Sequence, residues 1–149
     1  MSSVRVGIIG GGISGLSCAQ ALISAGCGVQ IFDQGYRVGG RISTRTHMDG
    51  RVIADHGAPS FRVDDPGFQS AVHAWIDAGV CAAWDDRFVG KPSMGSISRH
   101  LAEGLPVQTS TRIERVKQIE DDSWEVSSEQ AAVDDRFDQL VIAAQPREV

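Results

Sequence analysis

The chain has 149 residues, 42% of them hydrophobic and 22% charged, which suits one globular domain and excludes an intrinsically disordered chain. The formal net charge of −5 argues against nucleic acid as a partner, because phosphate binding requires a basic face. The three cysteines have no metal-ligand spacing, so we expect free thiols in a reducing compartment, the cytoplasm. Because glycines interrupt the N-terminal apolar run, we expect neither a signal peptide nor a membrane span.

A glycine-rich turn at residues 10–15 follows an apolar run at residues 6–9 and precedes a helical pattern over residues 16–25. This G-x-G-x-x-G sequence between strand and helix is typical of dinucleotide binding. Gly10 permits the tight turn, Gly12 lets a pyrophosphate approach the backbone, and Gly15 lets the helix pack close to the strand. Ile13 and Ser14 complete the turn at the helix N-terminus, which attracts phosphates through its free N–H groups and partial positive charge.

An acidic residue, Asp33, ends the next apolar run at residues 29–32, about 20 residues after the glycine turn. A carboxylate at this position can accept hydrogen bonds from the ribose hydroxyls, and it disfavours the extra 2′-phosphate of NADP. Gln34 follows it and belongs to the same predicted site. The structural alternative is a glycine-rich turn between two packed elements, with Asp33 as a solvated strand end.

Helical spacing of apolar residues predicts a first helix after the glycine turn. Its apolar stripe comprises Leu16, Ala19, Leu22 and Ile23. Gly26 is placed to end it at the C′ position.

Two further helices follow the same rules. The second should begin at Asp64 or Asp65 as N-cap, with Pro66 at N1, and end at Gly79. Its buried stripe comprises Phe68, Val72, Trp75 and Ile76. A third, shorter helix should start near Ser93 and bury Met94, Ile97 and Leu101, stopping at Gly104.

The last third of the chain changes to strand patterns. Residues 107–110, 113–119 and 124–127 are predicted to be short strands, with a turn at residues 121–123. The run 137–144 is apolar apart from Asp138 and Gln139, which predicts a strand buried on both faces of a parallel sheet. The order of elements therefore indicates the α/β class.

Two more motifs lie between the first and second helices. In Arg37-Val38-Gly39-Gly40-Arg41, adjacent glycines allow the backbone to lie against a ligand, and the arginines suit an anionic group. By itself this motif is equally well explained as a glycine turn with solvated arginines. The second motif, Asp55-His56-Gly57-Ala58, is by itself only a turn.

The order of these motifs resembles the renalase-like branch of the flavin-dependent (FAD) amine oxidase superfamily. The stretches SGLSCAQAL, VGGRISTR, DHGA, FVGKPSM and FDQLVIAAQP carry the resemblance. It implies a Rossmann-like, three-layer FAD-binding fold with a parallel sheet and an added β-hairpin or meander. Residues 1–149 would form this FAD-binding domain, with residues 62–104 a reduced helical remnant of a substrate domain that is otherwise largely missing.

The resemblance also implies roles for individual residues toward FAD. Gly10, Gly12 and Gly15 would face the pyrophosphate, and Asp33 would bind the adenosine ribose. At the other end, Gly40 with Arg41 would lie near the ribityl and flavin, and Arg41 would also sit by the pyrophosphate. Gly39 would belong to the same cofactor-binding segment. The remaining implied contacts are Gly57 and Ala58 at the isoalloxazine ring, the main chain of Ile113 at adenine, and Ala144 to Pro146 beside the cofactor.

The chemistry implied by the resemblance is hydride transfer from a small dihydronicotinamide-type or amine substrate to flavin N5, with reoxidation by oxygen to hydrogen peroxide. Catalytic residues are not identified, and the four histidines have no ligand-spaced carboxylates that would indicate a metal. We also expect self-association to cover surface left by the missing segment. The alternatives are a non-catalytic nucleotide-binding or assembly module, and an NAD-binding domain, which the Gly-Gly-Arg signature argues against.

Overall fold

The computed structural model describes residues 3–47, 49–50, 52–119, 122–128 and 136–145. Part of the predicted turn at residues 121–123, and Pro146, lie outside these residues. The chain divides into two compact units. We call residues 1–38 with 104–149 the sheet unit, and residues 39–103 the inserted unit.

Most elements of the described residues are short strands, and the helices lie between them along the chain. The strands are β1 (Arg5–Ile9), β2 (Gly28–Phe32), β3 (Thr44–His47), β4 (Val52–Asp55), β5 (Cys81–Trp84), β6 (Arg87–Gly90), β7 (Val107–Gln108), β8 (Arg115–Gln118), β9 (Trp124–Ser127), β10 (Arg136–Phe137) and β11 (Gln139–Ile142). The helices are α1 (Ile13–Ser24), α2 (Pro66–Asp77) and α3 (Gly95–Leu101), with a 3₁₀ turn at Gly40–Ile42. None of the described helices combines the length and apolar character that a membrane crossing requires.

The sheet unit has three layers. Its centre is a parallel sheet with the order β11-β1-β2-β7. Helix α1 packs on β1 and β2, and the antiparallel meander β8-β9-β10 forms another layer. The predicted α/β class, with a Rossmann-like parallel sheet and an added meander, is therefore confirmed.

The alternation of side chains along β1 explains how the layers pack. Ile8 is fully buried on the α1 side, where Leu16 and Ala19 are also fully buried. On the meander side, Phe32 and Phe137 form a core cluster with Val126, and their rings meet edge to face at 5.9 Å. The predicted stripe of α1 is wrong at its C-terminal end, because Ile23 is 42% exposed on the last turn.

Gly7 lies on β1 directly against the Phe137 ring of the meander. A Cβ at this position would lie 2.9 Å from the Phe137 ring and 3.1 Å from Leu140 Cδ1. Gly7→Val should therefore overpack this layer and lower the free energy of unfolding by about 1–3 kcal/mol. Urea denaturation followed by circular dichroism measures the loss. Gly28→Val is the matched control, because a Cβ there meets nothing closer than 3.6 Å, and equal midpoints for the two variants would contradict the prediction.

The apolar run at residues 137–144 differs from its prediction of a single strand buried on both faces. It is divided at Asp138, which exchanges hydrogen bonds with the Arg5 backbone, into β10 and β11. Within the described residues β11 is an edge strand that pairs with β1 alone, so Gln139 is exposed and Ile142 is 63% exposed. An apolar run in the sequence does not show whether the strand it forms is paired with other strands on one side or on both sides.

The inserted unit is built around α2 and the β5–β6 hairpin. Asp65 caps α2 by accepting a hydrogen bond from the Phe68 N–H at 2.7 Å, and Pro66 occupies the first turn, which confirms the predicted start. Val72 and Trp75 are buried, and the Trp75 ring packs with those of Phe61 and Phe68. The third helix is also confirmed, although α3 ends at Leu101, three residues before Gly104.

Candidate functional site: a dinucleotide cradle

The glycine turn lies where the strand order of the parallel sheet reverses. From β1 the chain passes through α1 to β2 on one side, and its last strand, β11, pairs with the other side of β1. Open α/β sheets bind their ligands at the carboxyl ends of the strands, at such a switch point. The turn at residues 10–15 follows the carboxyl end of β1 and therefore occupies this position.

Gly10 and Gly15 are required by the geometry of the turn. Gly10 has φ of +114°, and a Cβ on it would lie 2.7 Å from the Ala143 carbonyl oxygen. A Cβ on Gly15 would lie 1.9 Å from the Gly10 carbonyl oxygen, so α1 approaches the turn at a distance that only glycine permits. The roles predicted for these two glycines in forming the turn and packing the helix agree with this geometry. Ala144 follows Ala143 and is exposed beside the end of β11.

Gly12 differs from its neighbours, because nothing lies within 4 Å of the position that its Cβ would occupy. Gly12 is the N-cap of α1, and the first turn of that helix carries neither a side-chain cap nor an acidic residue. Ile13 is half-buried and Ser14 is exposed at this end. The helix N-terminus therefore presents backbone N–H groups and open space, which together suit a pyrophosphate.

Asp33 lies at the carboxyl end of β2 and is turned toward the glycine turn. Its Oδ2 accepts a hydrogen bond from the Gly11 N–H at 2.5 Å, and its Oδ1 accepts one from the Gly35 N–H at 2.7 Å. A carboxylate has about four acceptor positions, so both oxygens keep capacity for ribose hydroxyls. The sequence predicted only the ligand role of Asp33. The sequence does not predict that Asp33 accepts hydrogen bonds from Gly11 and Gly35. The only signal for it is the glycine at position 11, which the G-x-G-x-x-G motif does not require. Gln34 is exposed beside Asp33.

Ile113 lies in a segment that runs beside the end of β2. The Thr111 N–H donates to the Asp33 carbonyl at 2.9 Å, and the Ser110 N–H donates to the Gly35 carbonyl at 2.8 Å. The prediction of a strand at this point is wrong, since β8 begins only at Arg115. The side chain of Ile113 packs against the Phe32 cluster, and its main chain has no hydrogen-bond partner among the described residues.

The Gly-Gly-Arg motif and the Asp-His-Gly-Ala motif meet within the inserted unit. Gly39 and Gly40 have φ of +129° and +52°, conformations that favour glycine. The Ala58 N–H donates to the Arg41 carbonyl at 2.8 Å, and a Cβ on Gly57 would lie 1.8 Å from the same oxygen. The Arg41 guanidinium is exposed and has no partner among the described residues. Residues 39–41 and 57–58 thus lie side by side, and both segments place glycine backbone next to the positively charged Arg41.

These features define a Rossmann-like fold with a glycine-rich turn at its switch point. A family model described as an NAD(P)-binding Rossmann-like domain matches residues 8–75. The chain is also similar to curated proteins. It is 38% identical over 66 residues to protoporphyrinogen oxidase 2, chloroplastic/mitochondrial, of Arabidopsis thaliana. That match covers 44% of this chain and 13% of the Arabidopsis protein.

Solved structures share the fold over nearly the whole chain. A protein from Exiguobacterium sp. 255-15, assigned as a protoporphyrinogen oxidase, superimposes with a TM-score of 0.76 at 11% identity, over 97% of this chain and 60% of that one. A protein from Photorhabdus luminescens, assigned as an FAD-containing monooxygenase, gives 0.68 at 18% identity, over 95% and 39%. At these identities the likeness shows the fold alone. The chain spans less than two thirds of the length of each of these proteins.

Proposed function

We propose that this chain binds FAD and forms the cofactor-binding portion of an FAD-dependent oxidoreductase. The observation that carries the proposal is the open space at Gly12, next to a helix N-terminus without a side-chain cap. The resemblance adds Arg41, which is exposed, as a further group for the pyrophosphate, and Asp33 supplies acceptors for the ribose. The FAD assignment of the Photorhabdus protein, which shares this fold, supports the same cofactor.

The resemblance assigns the two ends of FAD to different residues. In the sheet unit, the glycine turn would bind the pyrophosphate, Asp33 the ribose, and the main chain of Ile113 the adenine. In the inserted unit, Gly40, Gly57 and Ala58 would present backbone to the flavin end. When bound, FAD supplies a hydride acceptor, while the protein contributes position and electrostatics.

For the reaction, we propose oxidation of a small reduced substrate of the dihydronicotinamide or amine type, with oxygen as the final acceptor. The renalase-like stretches of the sequence support this substrate class. The wild-type chain should purify with yellow colour, or take up FAD from solution, and release it on denaturation. A titration in which FAD binds and NAD does not would support the flavoprotein, and a colourless chain that cannot be reconstituted would refute it.

The second candidate is a non-catalytic nucleotide-binding or assembly module. It is favoured by the edge strand β11, whose Ile142 side chain is 63% exposed and would be covered by self-association. Sedimentation of the FAD-loaded chain, together with a peroxide assay on dihydronicotinamides, separates the candidates. A dimer that binds FAD without forming peroxide would support the module.

We further propose the cytoplasm as the location of the protein. Cys18, Cys27 and Cys81 are all free thiols, which suits a reducing compartment. Burial raises the pKa of the Cys81 thiol, so this side chain acts as a protonated packing group at neutral pH.

Arg41→Ala should weaken FAD binding and reduce its dependence on salt. The exposed guanidinium would pair with the pyrophosphate, and such a contact is screened as ionic strength rises. We expect an affinity loss of about three- to tenfold at low salt, which shrinks at high salt. Flavin-fluorescence titrations at several salt concentrations measure both effects. Arg45→Ala, at another exposed arginine on β3, is the matched control, and an unaltered salt slope in Arg41→Ala would mean that Arg41 does not face the phosphates.

A further inference from the structure

Two side chains of the inserted unit tie the β3–β4 hairpin to the start of α3. Thr44 and Asp55 lie opposite each other in the hairpin, and Thr44 Oγ1 donates a hydrogen bond to Asp55 Oδ1 at 2.6 Å. Thr44 Oγ1 also accepts a hydrogen bond from the Gly95 N–H at 2.9 Å, and Asp55 Oδ1 accepts one from the Met94 N–H at 3.1 Å. We call Thr44 and Asp55 the clasp.

The clasp replaces a cap that α3 lacks. Met94 is the N-cap of α3, and it makes no side-chain capping hydrogen bond. The first N–H groups of a helix have no partner within the helix and need acceptors from elsewhere. The clasp supplies two such acceptors from a hairpin that precedes α3 by about 40 residues. The position of α3 is therefore coupled to the geometry of the hairpin.

The clasp is also continuous with the Asp-His-Gly-Ala motif. Asp55 is the first residue of that motif, and the next residue, His56, donates its N–H to the Ser43 carbonyl at 3.3 Å. Gly57 then packs on the Arg41 carbonyl oxygen, to which the Ala58 N–H donates. A shift of Asp55 would therefore move the backbone that is proposed to meet the flavin.

Helix α3 also contacts the Gly-Gly-Arg motif, through Ser98 in the middle of the helix. Ser98 is fully buried in α3, and its hydroxyl donates to the Gly95 carbonyl at 3.0 Å. A Cβ on Gly39 would lie 2.9 Å from Ser98 Oγ. The helix thus packs against Gly39 in one proposed flavin-binding segment. The clasp joins the helix to Asp55, which precedes the other proposed segment, residues 57–58.

We propose that Thr44 and Asp55 are positioning residues for the flavin end of the cofactor site. By fixing α3 to the hairpin, they hold the backbone of residues 39–41 and 57–58 in place before FAD arrives. A site that is ordered in advance loses less conformational entropy on binding, so its affinity is higher. This inference rests on the proposed function, because it assigns the flavin end of FAD to the inserted unit.

The test compares FAD with ADP, since ADP contains the half of the cofactor that is assigned to the sheet unit. Thr44→Val keeps the side-chain volume and removes the hydroxyl that makes two of the clasp hydrogen bonds. Its Kd for FAD should rise about tenfold, while its Kd for ADP stays unchanged. Thr44→Ser should restore FAD affinity. Thr46→Val, at an exposed threonine on the same strand, should change neither constant.

A second variant breaks the clasp from the helix side. A Cβ on Gly95 would lie 2.8 Å from Thr44 Oγ1, so Gly95→Ala should displace the hydroxyl. Alanine is a better helix former than glycine, so α3 itself is not weakened by this change. Gly95→Ala should therefore lower FAD affinity without lowering ADP affinity, and the visible spectrum of its bound flavin should differ from that of the wild type.

Amide hydrogen exchange tests the clasp in the wild-type chain. The N–H groups of Met94 and Gly95 should exchange slowly, and exchange at the rate of free amides would overturn the clasp. Unchanged FAD affinity in both Thr44→Val and Gly95→Ala would overturn the positioning role, as would an equal loss of FAD and ADP affinity. A wild-type chain that binds neither ligand would instead overturn the proposed function and this inference with it.

Discussion

Gly12→Val should abolish FAD binding while leaving the chain folded. The Cβ position of Gly12 faces open space, so the folded protein can accommodate the valine. Gly12 has φ of −79° and ψ of −179°, an extended conformation that any residue can adopt. The remaining cost is the weaker N-cap preference of valine, which we expect to change the free energy of unfolding by about 1 kcal/mol or less. The valine would nevertheless fill the space assigned to the pyrophosphate.

The measurement pairs a flavin titration with urea denaturation of the same variants. We expect Gly12→Val to lose at least about a hundredfold in affinity, which corresponds to roughly 2.7 kcal/mol, and Gly12→Ala to show a smaller loss. Gly28→Val is the control, because it makes the same substitution at the opposite end of the sheet, in ordinary van der Waals space. If Gly12→Val still retained flavin, the pyrophosphate would not lie at this turn.

The local elements of the fold were predictable because their signals lie within a few residues of each other. The turn at residues 10–15 is specified by Gly10, through its φ of +114°, and by Gly15, through its close approach to the Gly10 carbonyl oxygen. The start of α2 follows from Asp65 and Pro66, a cap and an N1 residue that act within one turn. In these segments propensity, periodicity and capping all favour the same structure, and the structure agrees with them.

The rest depended on contacts between distant residues. The division of the last apolar run follows from the pairing of Asp138 with the Arg5 backbone, more than 130 residues away. The clasp joins Thr44 to Gly95, 51 residues apart. Periodicity reports which side of an element is apolar, and it carries no information on which distant backbone a polar side chain will meet. The sequence therefore predicted the motifs of the site, and it left the hydrogen bonds that support them undetermined.

Asp33→Ala should have two separable effects, one on stability and one on FAD affinity. In the folded chain its carboxylate accepts hydrogen bonds from the N–H groups of Gly11 and Gly35. Removing it leaves both donors without an acceptor, and each loss costs about 1–3 kcal/mol of stability. The free energy of unfolding should therefore fall by about 2–6 kcal/mol, with a smaller fall in Asp33→Asn, whose amide oxygen can still serve one of the two donors.

The FAD affinity of Asp33→Ala should fall by about 1.5–3 kcal/mol, the usual scale for hydrogen bonds to a charged group. Part of this loss would arise indirectly, because the glycine turn loses its anchor at Gly11. A simple titration does not separate that indirect loss from a lost contact with the ribose. The titration should be carried out at low temperature, where the variant remains folded, and unchanged affinity would exclude both contributions.

A double-mutant cycle with 2′-deoxy-ADP separates the two contributions. The wild-type chain should bind ADP more tightly than 2′-deoxy-ADP, because the Asp33 carboxylate accepts the hydrogen bond of the 2′-hydroxyl. In Asp33→Ala this preference should disappear, which gives a coupling energy of about 1 kcal/mol or more. Gly11 and Gly35 play no part in the comparison of the two ligands, since both ligands meet the same turn. If the preference for ADP persisted in Asp33→Ala, the carboxylate would serve only to hold the glycine turn, and the ribose would be bound by another group.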